Sequence, residues 1–227
     1  MESVLSAHEL SSGYNRVPVV RDVTFHLHAG EVMALLGANG AGKSTLIMTL
    51  AGQIRPLSGE VRIRGNTVTN GLEKRVRDDR IAVLTQERCV FMTLTASQNI
   101  ILGGGTVDEA LTIFPELEPH LGRKVGHLSG GQQQMVSVAR AICGRPAAIL
   151  ADEVSLGLAP NLVDRLLSVL SSVARDRGIA VLMVEQFVGK ALHYSDRACV
   201  LSRGSVVMEG PSQELNERQS ELYSHYV

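Results

Sequence analysis

The sequence predicts an α/β fold built on a mainly parallel sheet with helices on both faces. Short apolar runs, such as Val32–Leu36 and residues 179–184, have the composition of buried parallel strands. Longer segments with helical apolar spacing lie between these runs, and strands that alternate with helices form parallel sheets. The chain has 227 residues, 44% of them hydrophobic, which suits one large domain or a domain with a subdomain.

The composition excludes several classes of protein. A net charge of −1 and a pI of about 6.7 provide no basic field, so we expect no nucleic-acid partner. The three cysteines are widely spaced, which is typical of free thiols in a reducing compartment. The first residues carry an acid and lack the apolar segment of a secretory signal. No run approaches the ~18 apolar residues of a membrane span, so we expect a cytoplasmic protein whose membrane role would need a partner chain.

The first third of the chain is predicted to contain strands, a glycine-rich turn and a helix. Residues 23–28 alternate between apolar and polar side chains, which is the period of a half-buried strand. The apolar run Val32–Leu36 follows, and residues 43–52 after the glycine-rich turn have a helical pattern. Residues 60–64 alternate again, and Ile81–Leu84 predicts another short buried strand.

A basic cluster and a region without strand character lie in the middle of the chain. A basic cluster is interrupted by Asp78 and Asp79, so we interpret it as a solvent-exposed face. Its members are Lys74, Arg75, Arg77 and Arg80. Residues 87–128 lack strand character, and residues 108–114 predict a helix, so we expect an inserted and mostly helical region.

The second half again alternates between helices and strands. Residues 130–143 predict a helix with apolar side chains on one face, and residues 162–173 predict another. The runs 147–151 and 179–184 predict buried strands, and residues 198–208 predict a hairpin. The polar end of the chain is predicted to be helical.

The glycine-rich turn matches the pattern G-x-x-x-x-G-K-[ST] between a predicted strand and a predicted helix. Its residues are Gly37, Ala38, Asn39, Gly40, Ala41, Gly42, Lys43 and Ser44. Glycines let the backbone wrap around phosphate oxygens, and N–H groups at the helix start attract negative charge. Lys43 is predicted to reach the β and γ phosphates and Ser44 to bind Mg²⁺, with Thr45 completing the site. A chance glycine turn is the disfavoured alternative.

Two adjacent acids, Asp152 and Glu153, end the apolar run 147–151. Ligands of parallel sheets bind beyond the carboxyl ends of the strands, which is where these acids fall. In P-loop enzymes a strand beside the phosphate-loop strand ends in an aspartate that holds magnesium, so we assign that role to Asp152. Glu153 is predicted to orient or deprotonate the attacking water. The alternative, an acidic cap for the helix after Pro160, is weak because the acids lie several residues upstream.

A third element, Leu-Ser-Gly-Gly-Gln, spans the start of the predicted 130–143 helix. The residues that follow its leucine are Ser129, Gly130, Gly131 and Gln132. A serine and two glycines at a helix start can form an anion site, although alone they are more often a flexible turn with a helix cap. The order of the three motifs favours the anion site over the flexible turn. The chain has a phosphate loop, then Leu-Ser-Gly-Gly-Gln, then a strand that ends in carboxylates. In this order the motifs resemble the ATP-binding-cassette (ABC) ATPase family over nearly the whole chain.

This resemblance implies a particular organisation and further site residues. It implies a nucleotide-binding core with an antiparallel N-terminal β subdomain over residues 1–86 and 145–227, and a helical subdomain over residues 87–144. Tyr14, before the first strands, matches the aromatic residue that stacks on adenine, or is a strand-surface tyrosine. Gln86 matches the glutamine that senses Mg²⁺. Gln186 stands where most members have a histidine that contacts the γ-phosphate; the alternative is a polar residue that faces solvent.

The sequence after the acids narrows the resemblance. Asp-Glu-x-Ser-Leu-Gly-Leu-Ala-Pro together with Val-Glu-Gln resembles the ATPase subunits of branched-chain amino-acid importers. Urea-importer ATPases also share Val-Glu-Gln-Phe and Gly-Gly-Gln-Gln-Gln. Val154 and Ala159 depart from the usual proline and aspartate, and Thr85-Gln86-Glu87-Arg88 departs from Pro-Glu-Gly-Arg. The solute therefore stays open between branched-chain amino acids and other small solutes.

The resemblance also implies partners and a place of action. Two such subunits sandwich two ATP molecules, so that Ser129 of one faces the γ-phosphate held by Lys43 of the other. Membrane-spanning permease subunits and a solute-binding receptor are separate chains, and the ATPase lies on the inner face of the membrane. Two alternatives remain: a soluble ABC ATPase of repair or translation, and a regulatory cassette with weak catalysis.

Overall fold

The computed structural model describes residues 3–226, which form two sheets flanked by helices. The strands are β1 (Ser3–Tyr14), β2 (Val17–His28), β3 (Val32–Leu36), β4 (Ser58–Ile63), β5 (Asn66–Thr67), β6 (Ile81–Leu84), β7 (Ala148–Asp152), β8 (Ala180–Val184), β9 (Arg197–Ser202) and β10 (Ser205–Pro211). The α-helices are α1 (Lys43–Leu50), α2 (Leu72–Arg77), α3 (Ala96–Leu102), α4 (Val107–Ile113), α5 (Gly130–Cys143), α6 (Pro160–Arg177), α7 (Val188–Tyr194), α8 (Ser212–Glu217) and α9 (Gln219–Ser224). Short 3₁₀ helices cover Pro115–His120 and Val125–His127.

The larger sheet has the strand order β10-β9-β3-β8-β7-β6 and is parallel except for the β9–β10 hairpin. Every residue of β3, β7 and β8 is buried, because helices cover both faces of the sheet. The predicted α/β class and the predicted hairpin are confirmed.

One expectation about this sheet is wrong. The strand that ends in Asp152 does not lie beside β3, because β8 pairs with both β3 and β7 and separates them. Strand order depends on long-range pairing, which local apolar patterns do not encode. As a consequence, the residues that follow β8 fall between the phosphate loop and Asp152.

The smaller sheet is antiparallel and has the order β2-β1-β4-β5. In β2 the apolar residues Val23, Phe25 and Leu27 are buried, while Thr24 and His26 are exposed, as the alternation predicted. The antiparallel N-terminal sheet implied by the family resemblance is therefore present, and it packs its apolar face on the helix that follows the phosphate loop.

Residues 87–144 are helical and contain no strand in this fully described stretch. The bounds of α5 match the prediction. Its apolar face is buried as expected, at Met135, Val138, Ala139 and Ile142. These side chains belong to the same core cluster as those of β3 and β7. The division into a core and a separate helical subdomain therefore stays a prediction.

The interpretation of the basic cluster as a solvent-exposed face is wrong for Arg75, which is 1% exposed and lies in the unpredicted helix α2. Its Nη1 donates hydrogen bonds to the backbone oxygens of Thr49, at 2.9 Å, and Leu50. The last carbonyls of a helix lack partners within it, and the guanidinium group satisfies those at the end of α1. Burial lowers the pKa of Arg75.

Within residues 3–226 we find no helix that combines the length and apolar character of a membrane span. The thiols of Cys89, Cys143 and Cys199 are all free; Cys89 is exposed and the other two are buried. The free thiols agree with the prediction that was made from the wide spacing of the three cysteines.

Candidate functional site

The glycine-rich turn joins β3 to α1, as predicted. Lys43, the first residue of α1, is 6% exposed, and its Nζ donates to the backbone oxygens of Gly37 at 2.8 Å and Ala38 at 3.0 Å. Burial lowers the pKa of Lys43, and the charges of Glu153 and Asp152 act against this shift. The ammonium group is thus held inside the curve of the loop, where it can meet an anion.

The loop conformation requires glycine at two positions. Gly37 has φ +145, and a Cβ there would lie 2.2 Å from the backbone oxygen of Leu201. Gly42 has φ +108 and precedes α1 directly. Such positive φ values are adopted at little cost by glycine alone, so these glycines give the loop its shape.

Asp152 ends β7 with a buried carboxylate that is 6% exposed. Its Oδ1 has no hydrogen-bond partner among the described residues, and the hydroxyl side chain of Ser44 lines the same cavity as this carboxylate. Burial raises the pKa of Asp152, and the nearby Ser44 hydroxyl opposes that shift. An orphaned buried carboxylate oxygen beside a hydroxyl suits Mg²⁺, which takes one or two carboxylates plus phosphate oxygens and water. The residues present therefore fit the ion.

Glu153 and Gln186 form a pair at the ends of β7 and β8. The Nε2 of Gln186 donates to Oε2 of Glu153 at 2.9 Å. Glu153 has φ +49, in the left-handed region that costs a non-glycine residue free energy, so the surrounding structure fixes this conformation. Gln186 is exposed but bound to the predicted base, so the alternative of a residue that merely faces solvent is not favoured.

These groups surround one cavity of about 390 Å³, large enough for part of a small ligand. Its lining residues are Val19, Asn39, Gly40, Gly42, Lys43, Ser44, Thr45, Gln86, Asp152, Glu153 and Gln186. The structure thus brings the phosphate loop, both acids and both predicted glutamines to one place.

Two predicted parts of the site do not line this cavity. Tyr14 is 56% exposed and is the last residue of β1, so its expected position before the first strands is wrong. Ser129 caps α5 in a reciprocal capping box: its Oγ accepts from the N–H of Gln132 at 3.3 Å, and its own N–H donates to Gln132 Oε1 at 2.9 Å. The helix start is thus well formed, but residues 129–132 do not line the cavity of the phosphate loop.

Sequence reasoning missed Glu185, which directly follows β8. It is 2% exposed, its Oε2 accepts a hydrogen bond from the Ser155 hydroxyl, and its Oε1 has no partner among the described residues. Burial raises the pKa of Glu185 to about 7. The bond joins the segment after Glu153 to the segment before Gln186. The signal was available: an acid that ends an all-apolar strand, as at Asp152.

A family model described as ABC transporter matches residues 20–155. The high-affinity branched-chain amino acid transport ATP-binding protein BraG of Pseudomonas aeruginosa is 36% identical over 214 residues, covering 90% of this chain and 91% of that protein. The phosphonates import ATP-binding protein PhnC of Trichormus variabilis is 34% identical, with coverage of 93% and 95%.

Solved structures agree with these matches. A dimeric ATP-binding cassette in a post-hydrolysis state, with ADP and Pi, is 25% identical to this chain. The match covers 92% of this chain and 98% of that one, with a TM-score of 0.81. The family model spans more than half of the chain, and the matches to the relatives span nearly all of it. The site has the phosphate loop and the carboxylate of Asp152 in one cavity. This chain belongs to the ABC transporter family of ATPases.

Proposed function

We propose that this chain binds and hydrolyses MgATP to drive solute import through separate membrane subunits. The observation that carries the proposal is the buried, unpartnered Oδ1 of Asp152 beside Ser44, in the cavity that also contains Lys43. A lysine within a phosphate loop, next to a hydroxyl and an aspartate, is the arrangement with which P-loop enzymes hold a nucleoside triphosphate.

Each binding group has one task. The ammonium group of Lys43 leaves the loop carbonyls and donates to the β and γ phosphates, while loop N–H groups surround the phosphate oxygens. Ser44 and Asp152 would hold Mg²⁺, and Gln86, two residues after β6, lines the same cavity. The ion, when bound, neutralises negative charge on the phosphates.

Glu153 and Gln186 act on the attacking water. The Glu153 carboxylate accepts a proton from the water, as a positioned general base. The amide of Gln186 has two N–H donors and one acceptor; one donor holds Glu153, which leaves the other for the γ-phosphate. An amide does not titrate near neutrality, so this group keeps its role without the charge change of a histidine.

We propose that the site is completed by a second copy of the chain. Ser129 and its glycines form a helix start that can bind an anion, but they do not line the cavity of their own chain. A head-to-tail dimer would bring the α5 start of one copy to the γ-phosphate on the other. The dimeric form of the solved cassette supports this arrangement.

The solute proposed is a branched-chain amino acid. The support is the printed name of BraG together with the segments around Asp152 and Gln186. Urea or another small solute is the alternative, since PhnC is named for phosphonates. Against a catalytically weak cassette, Lys43, Ser44, Asp152 and Glu153 all line one cavity.

A second, larger cavity supports the proposed permease partner. It measures about 950 Å³ and lies between β6 and α2 on one side and α3 and α5 on the other. Exposed apolar side chains line it, at Val76, Phe91 and Leu102. It also contains Arg77, Arg80, Arg88 and Arg140, and no Asp or Glu of the described chain lines it. We call it the arginine groove.

The charge of this groove predicts the chemistry of its partner. Arg80, Arg88 and Arg140 have no ion pair among the described residues, and burial lowers the pKa of Arg140. Arg80 is exposed, whereas Arg88 and Arg140 are half-buried, and Arg140 already stacks on the Phe91 ring and donates to the backbone oxygen of Cys89. None of these contacts supplies a negative charge, which a half-buried cation favours as a partner. We therefore propose that an amphipathic segment with acidic residues, from a membrane-spanning subunit on the inner face of the membrane, occupies the groove.

The groove is also linked to the ATP site. Arg88, two residues after Gln86, donates to Gln133 Oε1 at 3.1 Å. Gln133 in turn donates to the backbone oxygens of Val125 and Leu128, at 3.1 Å each, just before Ser129. A segment bound in the groove would contact the same arginine that joins the Gln86 segment to the start of α5.

Leu102→Asp is expected to abolish co-purification with the membrane subunits and uptake of labelled leucine. The new carboxylate would repel the acidic residues of the partner segment and would replace an apolar contact. Leu102 is 60% exposed and lines the groove. Ile101→Asp is the matched control: Ile101 is 58% exposed on the same helix but does not line the groove. MgATP affinity should stay unchanged in both. Equal loss or equal retention in the two variants would contradict the groove assignment, and uptake of urea in place of leucine would assign the alternative solute.

A further inference from the structure

Tyr226 contacts the first glycine of the phosphate loop from 189 residues away in the sequence. The N–H of Gly37 donates to the Tyr226 hydroxyl oxygen at 2.9 Å. Gly37 is buried, and a buried N–H needs an acceptor, because water no longer provides one. The tyrosine oxygen provides that acceptor at the point where β3 ends and the loop begins.

The same glycine is constrained on its other sides. Its carbonyl oxygen accepts the bond from Lys43 Nζ at 2.8 Å. Its Cα faces the backbone of Leu201 so closely that a Cβ would lie 2.2 Å from that residue's oxygen. Gly37 therefore has its N–H oriented by Tyr226 and its C=O oriented toward the lysine that is proposed to bind phosphate.

The position of Tyr226 is fixed by packing against the core and by a backbone hydrogen bond. Leu222 on α9 is fully buried in the main core, and the Tyr226 ring packs partly against the same core. The backbone N–H of Tyr226 donates to Tyr223 O at 3.0 Å, which continues the turn of α9. A tyrosine hydroxyl is neutral at physiological pH and can both accept and donate, and burial raises the pKa of Tyr226 further.

We infer that Tyr226 is a positioning residue that keeps the phosphate loop in its nucleotide-binding conformation. This rests on the proposed binding of ATP by Lys43 and the loop. Without the acceptor, the Gly37 peptide can turn to find another partner, and nucleotide binding must then restore the loop. The acids at the ends of β7 and β8 are not touched by Tyr226, so the chemical step on bound ATP is left unchanged.

Tyr226→Phe removes only the oxygen and keeps the packed ring. We expect it to weaken MgATP and MgADP binding about three- to tenfold, the equilibrium effect of one neutral hydrogen bond. The turnover at saturating ATP should change less than twofold, so the KM rises and kcat does not. Tyr223→Phe makes the same change on a ring that is 48% exposed and 6.0 Å from the Tyr226 ring, and should leave affinity at the wild-type value.

Calorimetric titration with MgADP and steady-state kinetics with MgATP, on the full chain, measure both quantities. Lys43→Ala tests the phosphate site independently of Tyr226. If Lys43→Ala loses binding while Tyr226→Phe binds as tightly as Tyr223→Phe, the positioning role of Tyr226 is overturned and the proposed site stands. If Lys43→Ala binds like wild type, the proposed site itself is overturned. A fall in kcat with unchanged KM in Tyr226→Phe would also contradict the inference.

Discussion

Glu153→Gln protein is expected to bind MgATP and to turn it over about 10²–10⁴-fold more slowly than wild type, the usual contribution of a general base. The amide has the shape of the carboxylate and can still accept the hydrogen bond that Gln186 Nε2 donates at 2.9 Å. It cannot take a proton from water. The protein should therefore accumulate as an ATP-bound dimer, which phosphate-release assays and sedimentation together measure.

Controls for this variant lie close to it. Glu87→Gln makes the same acid-to-amide change on an exposed residue next to Gln86 that does not line the cavity, and should turn over normally. Gln186→Ala tests the other half of the pair, and loss of one such donor should reduce turnover about 10²–10³-fold while MgATP affinity is retained. Wild-type turnover in Glu153→Gln would show that another group is the base.

Lys43→Ala should weaken ATP binding about 10- to 100-fold and abolish turnover. The magnitude follows from losing a hydrogen bond to a charged group, which contributes more than a neutral one. The lysine is 6% exposed and already directed into the loop by the oxygens of Gly37 and Ala38, so its ammonium group is preorganised for an anion. Titration with a fluorescent ATP analogue measures the affinity.

Lys74→Ala is the matched control, because Lys74 lies on the exposed side of α2, outside the cavity. Its affinity and turnover should equal those of wild type. Unchanged affinity in Lys43→Ala would contradict the assignment of residues 37–44 as the phosphate site.

The parts of the fold predicted correctly from the sequence are those with strong local patterns. The apolar run of β3 and the helix α5 have the predicted bounds, because burial on both faces and a 3.6-residue period leave a clear trace in the sequence. The cavity was predictable for a related reason. Parallel strands present their carboxyl ends at one edge, so Asp152 and Gln186 meet the phosphate loop there.

What could not be predicted depends on residues that are distant in sequence. Arg75 was expected to be exposed, but its guanidinium group is buried against the end of α1. The carbonyls that accept its hydrogen bonds lie about 25 residues earlier in the sequence. The position of β8 between β3 and β7 follows from strand pairing and not from composition. The bonds of Ser155 to Glu185 and of Gly37 to Tyr226 likewise join segments that no periodic pattern relates.

The central proposal is that two copies of this chain build each ATP site together, and one mixing experiment tests it most directly. Ser129→Arg places a bulky cation in the proposed interface, and Lys43→Ala removes the phosphate contact. Each variant alone should be inactive, although Ser129→Arg should still bind MgADP through its own Lys43. Mixed in equal amounts, they should recover about a quarter of the wild-type ATPase, because half of a random mixture is heterodimer with one intact site of two. Full activity of the Ser129→Arg protein alone would contradict the shared site.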